Sequence, residues 1–310
     1  MTTDIKYDLI IIGSGPAGLN AALYASRANL KVAFIEKSAP GGKLSATSKI
    51  ENWIGTELTE GWKLATSFFE HAKQYGAEYI YGDVKQIISH GDLDKEVLTV
   101  KGKSYRSKTV LIASGMKNRV PTFIENCEKL IDRGVSFCAI CDGPLYKGLP
   151  SIVLGGGNSA VEESTYLSKI ASQVYLVVKD DYFNAEKKLV DEMLKLPNLK
   201  VFYKSQILSL KGENKLEAAV VKTEDGSVVE LQVSSFFPYI GLLPVADFAK
   251  DLDIFDERGF IKTDEEMQTS VKGIFAAGDI RSKEIRQIVT AASDGAIAAK
   301  KISDLINANS

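Results

Sequence analysis

The residues best suited to chemistry stand together in one segment, Cys138-Ala139-Ile140-Cys141-Asp142-Gly143. Two of the chain's three cysteines lie in it, and a carboxylate directly follows the second. This spacing favours a disulfide that opens and closes, because the ring is small and a thiol near a helix start can be held as a thiolate. The alternative is half of a zinc site, but zinc would need a second pair of ligands, and Cys127, His71 and His90 are scattered singly. The pattern therefore favours redox chemistry over metal binding.

Composition limits the class of protein that carries this segment. The 310 residues are enough for two domains, and a hydrophobic content of 45% predicts a sizeable core. A formal charge of −2 offers no basic field for nucleic acid. Apolar runs fall short of the ~18 residues of a membrane span, and a strand pattern follows the first residues without a signal peptide. Since three cysteines also suit a reducing compartment, we expect a soluble, cytoplasmic protein without a metal or a nucleic-acid partner.

The chain opens with a nucleotide-binding pattern. A strand-like run, Tyr7–Ile12, leads into Gly13-Ser14-Gly15-Pro16-Ala17-Gly18, then a helical pattern over residues 19–28 and a second strand over 31–35. Glu36 follows about 20 residues after the loop, where an acid can accept a hydrogen bond from a ribose hydroxyl. The glycines let the backbone approach a pyrophosphate, which faces the helix N-terminus. This order of elements predicts a dinucleotide site.

The next part of the chain should complete the first sheet. Helical periodicity runs through residues 62–75, and strand patterns cover residues 78–88, 96–100 and 109–113. The last strand is apolar and ends in the turn Ser114-Gly115, so we expect it to return to the centre of the sheet.

The opening pattern then repeats after the cysteine segment. Residues 151–154 lead into Gly155-Gly156-Gly157-Asn158-Ser159-Ala160, followed by a helical pattern over 161–170 and a strand over 174–178. Two such units indicate two nucleotides, or a duplication in which one site has decayed. Because the second loop is intact, we favour two nucleotides.

The end of the second repeat carries unusual charges. The sequence there is Val178-Lys179-Asp180-Asp181-Tyr182-Phe183-Asn184. A 2′-phosphate needs arginines, whereas a free 2′-hydroxyl needs an acid. One lysine beside two aspartates repels a phosphate. Residues 202–210, 216–223 and 228–233 then predict a β meander, and residues 236–241 close the domain.

The last third of the chain offers a further site for a ligand. Gly278-Asp279 follows a buried strand, Arg286-Gln287 comes next, and an alanine-rich helical pattern runs to about Asn307. A carboxylate and free amides at the C-terminal edge of a strand lie where α/β folds hold ligands. Taken alone, Asp279 would be interpreted as a helix cap.

Together these motifs resemble those of the bacterial low-molecular-weight thioredoxin reductases, over essentially the whole chain. The resemblance rests on the two glycine loops, the cysteine segment, Gly41-Gly42, Glu51-Asn52-Trp53, Val161-Glu162-Glu163 and Phe275-Ala276-Ala277-Gly278-Asp279. It implies an α/β fold with two Rossmann-like (three-layer ββα) nucleotide-binding domains. A discontinuous FAD domain, residues 1–117 and 246–310, would surround an NAD(P)-binding-like domain, residues 118–245, that carries the cysteines. A homodimer with one FAD per chain is also implied.

The resemblance assigns roles to the cysteine segment. Cys141 would lie next to the flavin, and Cys138 would attack the partner's disulfide. Asp142 would protonate the reduced flavin or the leaving thiolate, as a positioned carboxyl can. Arg133 occupies the place of an arginine that helps to dock thioredoxin.

The resemblance also implies two sets of nucleotide-binding residues. Those for FAD would be Gly13, Gly15, Pro16, Ala17, Gly18, Glu36, Lys37, Gly42, Lys43, Leu44, Asn52, Val84, Ala113, Ser114, Gly115, Gly278, Asp279, Arg286, Gln287 and Ile288. Those for a nicotinamide nucleotide would be Gly155, Gly157, Asn158, Ser159, Ala160, Lys179, Asp180, Ile240 and Gly241. Gly278 and Asp279 would hold the ribityl and pyrophosphate region of FAD, and Arg286-Gln287 the region around the isoalloxazine ring.

Three positions depart from the family pattern. Members that use NADPH carry His-Arg-Arg-x-x-x-Arg, where this chain has Val178, Lys179, Asp180 and Asn184, so we expect poor use of NADPH. An aromatic pair often found after the cysteine segment is here Pro144-Leu145. Lys43 replaces a glutamine in the flavin-side loop; we expect it to point to solvent, although a lysine there could stabilise an anionic reduced flavin.

The leading hypothesis is an FAD-dependent disulfide reductase that passes electrons from a reduced donor through FAD and Cys138/Cys141 to a thioredoxin-like protein. The donor stays open: NADH through Asp180, NADPH weakly through Lys179, or a ferredoxin-like carrier without nicotinamide. The intact second loop argues against the last. An oxygen-dependent dithiol oxidase is a rival within the same fold. A non-catalytic flavin-binding protein is a further rival, which both cysteines and Asp142 disfavour.

Overall fold

A computed structural model describes residues 5–47 and 50–309. The chain divides into two compact units: unit 1 comprises Met1–Lys117 and Leu243–Ser310, and unit 2 comprises Asn118–Leu242. Unit 2 is therefore an insertion in the chain of unit 1. In the described part of the chain, no helix combines the length and the apolar character needed to cross a membrane.

The elements follow the alternation of strand and helix that the sequence predicts. The first part of unit 1 contains β1 (Tyr7–Ile12), α1 (Pro16–Arg27), β2 (Val32–Glu36), α2 (Gly61–Lys73), β3 (Glu78–Tyr81), β4 (Val84–Gly91), β5 (Asp94–Thr99), β6 (Ser104–Ile112) and β7 (Met116–Asn118). Unit 2 contains α3 (Ala139–Asp142), β8 (Ser151–Leu154), α4 (Asn158–Ser168), β9 (Val174–Val177), α5 (Lys187–Met193), β10 (Leu199–Phe202), β11 (Gln206–Lys211), β12 (Ala218–Lys222), β13 (Val228–Gln232) and β14 (Ser235–Pro238). The chain then continues through β15 (Leu242–Pro244), β16 (Ile274–Ala276) and α6 (Ile288–Asn307).

Unit 1 is built on a seven-stranded sheet with the order β3-β2-β1-β6-β5-β4, in which β16 also pairs with β6. The strands β3, β2, β1, β6 and β16 run parallel, and β5 and β4 are antiparallel additions. Residues of β1 alternate between two apolar cores, with Leu9 and Ile11 in one and Ile10 and Ile12 in the other. Burial on both faces explains why this strand is a continuous apolar run.

Unit 2 repeats this layered design on a smaller scale. A parallel sheet of order β10-β9-β8-β14 lies beside a three-stranded antiparallel sheet, β11-β12-β13. One core joins the two sheets, and a second core joins the parallel sheet to α4 and α5. The prediction of an α/β fold with two Rossmann-like units is confirmed.

Two sequence predictions are wrong in detail. The single strand predicted over residues 78–88 is two strands, interrupted at Gly82-Asp83, because β3 pairs parallel with β2 whereas β4 pairs antiparallel with β5. The first strand of the meander begins at Gln206 rather than at 202, because Phe202 ends β10 in the parallel sheet. In both cases the chain changes its pairing partner within the segment that was predicted as one strand.

Candidate active site

The two cysteines of the central segment are bonded to each other in unit 2. Cys138 and Cys141 form a disulfide with a Cα–Cα distance of 5.3 Å. Cys138 caps the N-terminus of α3, and the Cys141 N–H donates to the Cys138 Sγ at 3.2 Å. Cys138 is half-buried and Cys141 is exposed. Because a backbone donor already points at the Cys138 sulfur, its thiolate would be stabilised after reduction.

A serine that the sequence interpretation missed links this segment to the acid. The Ser136 hydroxyl donates to Asp142 Oδ2 at 2.6 Å, and its oxygen accepts the Cys138 N–H at 3.1 Å. The Ser136 N–H donates to the Phe236 carbonyl at 3.0 Å, which holds the serine beside β14. Ser136 is only 7% exposed. Its position two residues before Cys138 is the only signal in the sequence.

A buried acid and a tyrosine lie behind α3. The Ala139 N–H donates to the Tyr239 hydroxyl at 3.2 Å. Glu163 Oε2 is buried without a hydrogen-bond partner among the described residues, and burial raises the pKa of Glu163 to about 7. Burial, and secondarily the charge of Glu163, raises the pKa of Tyr239. Neither residue carried a predicted role in the sequence interpretation, although Glu163 was part of the resemblance.

The other thiol and the predicted docking arginine are separate from these contacts. Cys127 is buried, and burial raises the pKa of its thiol to about 11, so it is an unreactive core residue. Arg133 is exposed, and so is Leu145, at the place of the missing aromatic pair. Residues 5–47 and 50–309 hold no group of three or more histidine, cysteine or acidic side chains that could bind a metal ion.

The first glycine loop, at the start of α1, needs glycine for two different reasons. Gly13 has φ +101°, and a Cβ there would lie 2.5 Å from the Ala113 carbonyl oxygen. A Cβ at Gly18 would collide with the Gly13 carbonyl oxygen. Gly15 is different, since no described atom beyond its chain neighbours lies within 4 Å of its Cβ position. The space over Gly15 is therefore free for a ligand at the N-terminus of α1.

Glu36 ends β2 and holds this loop in place. Its Oε2 accepts the Ser14 N–H and hydroxyl, both at 3.0 Å. Its Oε1 accepts the N–H groups of Lys37 and Ser38 at 2.8 and 3.0 Å and the Ser38 hydroxyl at 2.9 Å. A carboxylate offers about four acceptor positions, so a ribose hydroxyl must replace one of these donors. The Ser38 hydroxyl can rotate away most easily.

A cavity of about 600 Å³ extends from the first loop along the carboxyl ends of β1 and β2. Gly13, Glu36, Lys37, Val84 and Ser114 line it, all of which the sequence predicts as FAD ligands. Its walls also include charged residues without a predicted role, namely Asp83, Lys85, Asp247, Lys250 and Asp251. The volume is in the ordinary range for a small-molecule site.

The segment after β16 supplies polar groups that lack partners. Asp279 Oδ1 and a terminal nitrogen of Arg286 are buried without a hydrogen-bond partner in the described structure. Burial raises the pKa of Asp279, which the cations Lys283, Lys43 and Arg286 oppose. Gly278 lies directly against α1, where its Cβ position is 2.9 Å from the Ala17 side chain. Unpartnered buried groups are costly, so they indicate a polar ligand.

The loop at Gly41-Gly42-Lys43 lies against the first glycine loop. The Gly41 N–H donates to the Ser14 carbonyl at 2.8 Å, and a Cβ at Gly42 would be 3.4 Å from the Gly15 Cα. Lys43 is exposed, yet partial desolvation of its ammonium group lowers its pKa to about 8, and the charge of Asp279 opposes this shift.

The remaining predicted FAD residues lie around these two loops. Leu44 is buried and packs with Ile288. The Asn52 side-chain amide donates to Gln287 Oε1 at 3.0 Å, and Gln287 in turn caps α6. Pro16 begins α1, and Ala113 and Gly115 flank Ser114 after β6.

The second glycine loop is bordered by other parts of unit 2. Gly155 has φ +145°, and a Cβ there would collide with the Tyr239 carbonyl oxygen, which places residues 239–241 beside the loop. Asn158 Oδ1 accepts the Glu186 N–H at 2.8 Å. Gly157 forms a β-bridge with Asn184. Ser159 and Ala160 continue α4, with Ala160 buried, and Ile240 and Gly241 follow β14.

The charges after β9 are arranged as the sequence suggested. Lys179 and Asp180 are exposed, and neither side chain makes a hydrogen bond or an ion pair within the described residues. The nearby Lys204 is already paired with Asp181 at 3.1 Å and with Glu224 at 3.2 Å. This edge therefore presents the free carboxylate of Asp180 beside the unpaired Lys179, while Lys204 already has two acidic partners.

All predicted FAD residues lie in unit 1, and the dithiol, Asp142, Arg133 and the predicted nicotinamide residues all lie in unit 2.

Comparison with known proteins yields consistent matches. A family model described as pyridine nucleotide-disulphide oxidoreductase matches residues 7–295. The thioredoxin reductase of Mycoplasmopsis pulmonis is 51% identical over 99% of this chain and 99% of its own length. That of Bacillus subtilis is 42% identical over 97% of this chain and 95% of its own length. The crystal structure of Lactococcus lactis thioredoxin reductase is 38% identical, with a TM-score of 0.93 over 98% of this chain and 100% of the other.

Proposed function

We propose that this chain, which belongs to the pyridine nucleotide-disulphide oxidoreductase family, works as a thioredoxin reductase. The observation that carries the proposal is the Cys138–Cys141 disulfide on α3 with Asp142 directly after it. The same unit carries an intact nucleotide loop, and the chain is 51% identical to a thioredoxin reductase over almost its whole length. Such a constellation suits transfer of two electrons from a nucleotide donor to a protein disulfide.

We assign FAD to the predicted residues of unit 1. The fit rests on the free space over Gly15, the cavity beside Glu36, and the unpartnered polar atoms of Asp279 and Arg286. When bound, FAD would supply the redox centre that takes two electrons from the donor and passes them to the disulfide. The chain's own part is to hold the pyrophosphate on the first loop and to satisfy polar groups of the cofactor with Asp279 and Arg286.

In unit 2, we propose that Cys138 is the thiol that attacks the partner. Its sulfur accepts the Cys141 N–H at 3.2 Å, which favours the thiolate. Cys141 would be the thiol on the flavin side and would re-form the disulfide. Asp142, held by Ser136, would deliver the proton that the departing thiolate needs.

We propose that the electron donor is NADH rather than NADPH. The second loop is intact, and Asp180 is an exposed carboxylate able to accept a 2′-hydroxyl. A 2′-phosphate would meet Asp180, Asp181 and the already paired Lys204. Compared with a site that carries the arginines, two or three charge-assisted contacts to the phosphate are missing. At roughly 1.5–3 kcal/mol each, their loss would lower the affinity for NADPH several-hundred-fold or more. The intact loop disfavours a ferredoxin-like donor or an oxygen-dependent dithiol oxidase.

The partner in this proposal is a thioredoxin-like protein, which would dock near the cysteines with help from the exposed Arg133. Homodimerisation belongs to the same proposal. Apolar side chains of unit 1 that are exposed in the monomer, among them Ile54, Leu58 and Trp62, are available for burial between two copies. A cytoplasmic location is part of it too, because a disulfide that must be reduced in each cycle suits a reducing compartment.

The test is reduction of an oxidised thioredoxin by the purified flavoprotein with NADH. We expect turnover that Cys138→Ser and Cys141→Ser each abolish, while Cys127→Ser, a substitution of the buried thiol, retains it. With excess oxidised thioredoxin, Cys141→Ser should accumulate a mixed disulfide through Cys138. A flavoprotein that is reduced by donor but leaves thioredoxin oxidised would refute the assignment.

A further inference from the structure

The Ser136 hydroxyl has three partners within reach, and together they suggest a role beyond structure. Its oxygen accepts the Cys138 N–H at 3.1 Å, its proton points to Asp142 Oδ2 at 2.6 Å, and the Cys138 carbonyl lies at 3.4 Å as a second acceptor. We propose that Ser136 is a positioning residue that keeps Asp142 aimed and hydrogen-bonded in both of its protonation states. This inference rests on the proposed function, in which Asp142 delivers a proton.

A hydroxyl can serve both states because it has one donor and two acceptor positions. With Asp142 ionised, the serine donates to Oδ2 and accepts only the Cys138 N–H. With Asp142 protonated, the carboxyl donates to Oγ, which still accepts the Cys138 N–H, and the serine proton turns to the Cys138 carbonyl. The oxygen keeps the same neighbours throughout, so the carboxyl need not move when it gains or loses a proton.

The backbone around the serine is fixed from several sides. The Ser136 N–H donates to the Phe236 carbonyl at 3.0 Å, and the Phe236 N–H donates to the Gly134 carbonyl at 2.7 Å. The Asp142 N–H donates to the Cys138 carbonyl at 3.1 Å, so the acid and the cysteine are also joined through the backbone. When Asp142 gains or loses its proton, the only movement required of this segment is rotation of the Ser136 hydroxyl.

Positioning Asp142 in this way serves the thiol–disulfide exchange between Cys138 and the partner protein. The Cys138 thiolate attacks one sulfur of the partner disulfide, which forms a Cys138–partner bond and breaks the partner's own bond. The departing partner thiolate takes the proton of Asp142, which becomes ionised, and the Ser136 proton turns to Oδ2. The Cys141 thiolate then displaces the second partner thiolate from Cys138. The partner gains two electrons, and the Cys138–Cys141 disulfide re-forms.

Other ionisable groups lie near Asp142, and their effects on the rate must be distinguished from the effect of Asp142. Burial, and secondarily the charges of Asp142 and Asp132, raises the pKa of Tyr146, which lies on the single turn that follows α3. Glu163 and Tyr166 lie on α4, which packs against α3, and Tyr239 reaches α3 from the end of β14. Glu163, whose pKa is about 7, is the group that would confuse a pH profile. The pH measurements are therefore made with Glu163→Gln present in every variant.

The experiment is a double-mutant cycle on the flavoprotein, reduced beforehand by dithionite and mixed with oxidised thioredoxin from pH 5 to 9. We expect Ser136→Ala to slow thioredoxin reduction by about 10- to 100-fold, which is part of the roughly 100- to 10,000-fold that a positioned acid contributes. Ser136→Thr, which keeps the hydroxyl, should recover most of the rate.

In the Asp142→Asn background, Ser136→Ala should slow thioredoxin reduction by less than about threefold, because the acid through which Ser136 acts is gone. An equal loss of rate in both backgrounds would show that Ser136 only stabilises the segment and would overturn the inference. The parent protein separates the two claims: if it leaves thioredoxin oxidised, the proposed function fails. If it reduces thioredoxin and Ser136→Ala does so equally well, the inference alone fails.

Discussion

The two glycine loops share a sequence pattern but differ in their surroundings. In unit 1, Glu36 accepts five hydrogen bonds that tie the acid to the loop and its own turn, and the space over Gly15 is open. In unit 2, the matching position holds the buried Val178, and Asp180 lies two residues further on, free and exposed. There the loop is instead bordered by Asn184, through its bridge to Gly157, and by residues 239–241.

The difference indicates two modes of nucleotide binding. The first loop opens on a cavity of about 600 Å³, and Asp279 and Arg286 bury polar atoms that have no hydrogen-bond partner among the described residues, which suits a resident ligand. The second loop offers an exposed acid and weak fixed charge, which suits a nucleotide that binds and leaves in each cycle. A strand, a glycine loop and a helix thus specify a pyrophosphate site, whereas the residues after the second strand decide which nucleotide is held and how tightly.

The largest expected effect comes from a matched pair of substitutions, Gly15→Ala and Gly157→Ala. A Cβ at Gly15 meets no described atom within 4 Å, so the unliganded fold should lose no more than about 1 kcal/mol. The methyl group would project into the pyrophosphate space and weaken flavin binding by at least about 100-fold. Gly157→Ala should keep the flavin and lose the response to NADH. The measurements are flavin content after purification and flavin reduction by NADH.

If Gly15→Ala retained its flavin, the first loop would not be the part of unit 1 that holds the cofactor, and the assignment would be refuted. Gly18→Ala is the control for folding. Its Cβ would collide with the Gly13 carbonyl oxygen, so it should destabilise unit 1 itself. Both tryptophans, Trp53 and Trp62, lie in unit 1, and their fluorescence reports its unfolding.

Donor preference should respond to the charge after β9. Asp180→Arg combined with Asn184→Arg supplies two guanidinium groups at exposed positions. We expect kcat/KM for NADPH to rise by about 10- to 100-fold, as one or two charge-assisted hydrogen bonds would give, and that for NADH to fall about 10-fold. Asp191→Arg, on the exposed side of α5, makes a charge change of the same kind elsewhere and should alter neither value. Equal effects from the control would mean that net charge, not a contact, sets the preference.

A smaller effect is expected from Glu163, whose pKa burial raises to about 7 from 4.5. The folded protein keeps this proton at pH values where the unfolded chain has lost it, so Glu163 destabilises unit 2 progressively as pH rises from about 4.5 through 7. Glu163→Gln should therefore stabilise α4 at pH 8 by about 1–3 kcal/mol and change little at pH 5. Hydrogen exchange of α4 amides at both pH values measures this. Glu192→Gln, at an exposed position of α5, should show no such difference, and an equal gain at pH 5 would refute the role of burial.

Local patterns explain why much of the fold was predictable from the sequence. Each glycine loop has its strand before it and its helix after it within about 20 residues, so β1, α1, β8 and α4 could be located directly. The break at Gly82-Asp83 could not, because it depends on β3 and β4 choosing different partners, β2 and β5. The support of the dithiol was hidden for the same reason. Tyr239 reaches Ala139 across 100 residues of sequence, and no local motif marks Ser136 as the partner of Asp142.

The most direct test of the account is an anaerobic titration of the purified protein, followed by the absorbance of its flavin. We predict that NADH bleaches the flavin rapidly, that NADPH does so far more slowly, and that oxidised thioredoxin then restores the colour. Fast bleaching by NADPH would contradict the donor assignment. A protein purified without flavin, or a reduced flavin that thioredoxin fails to reoxidise, would contradict the central claim that electrons pass from the first loop's cofactor through Cys138 and Cys141.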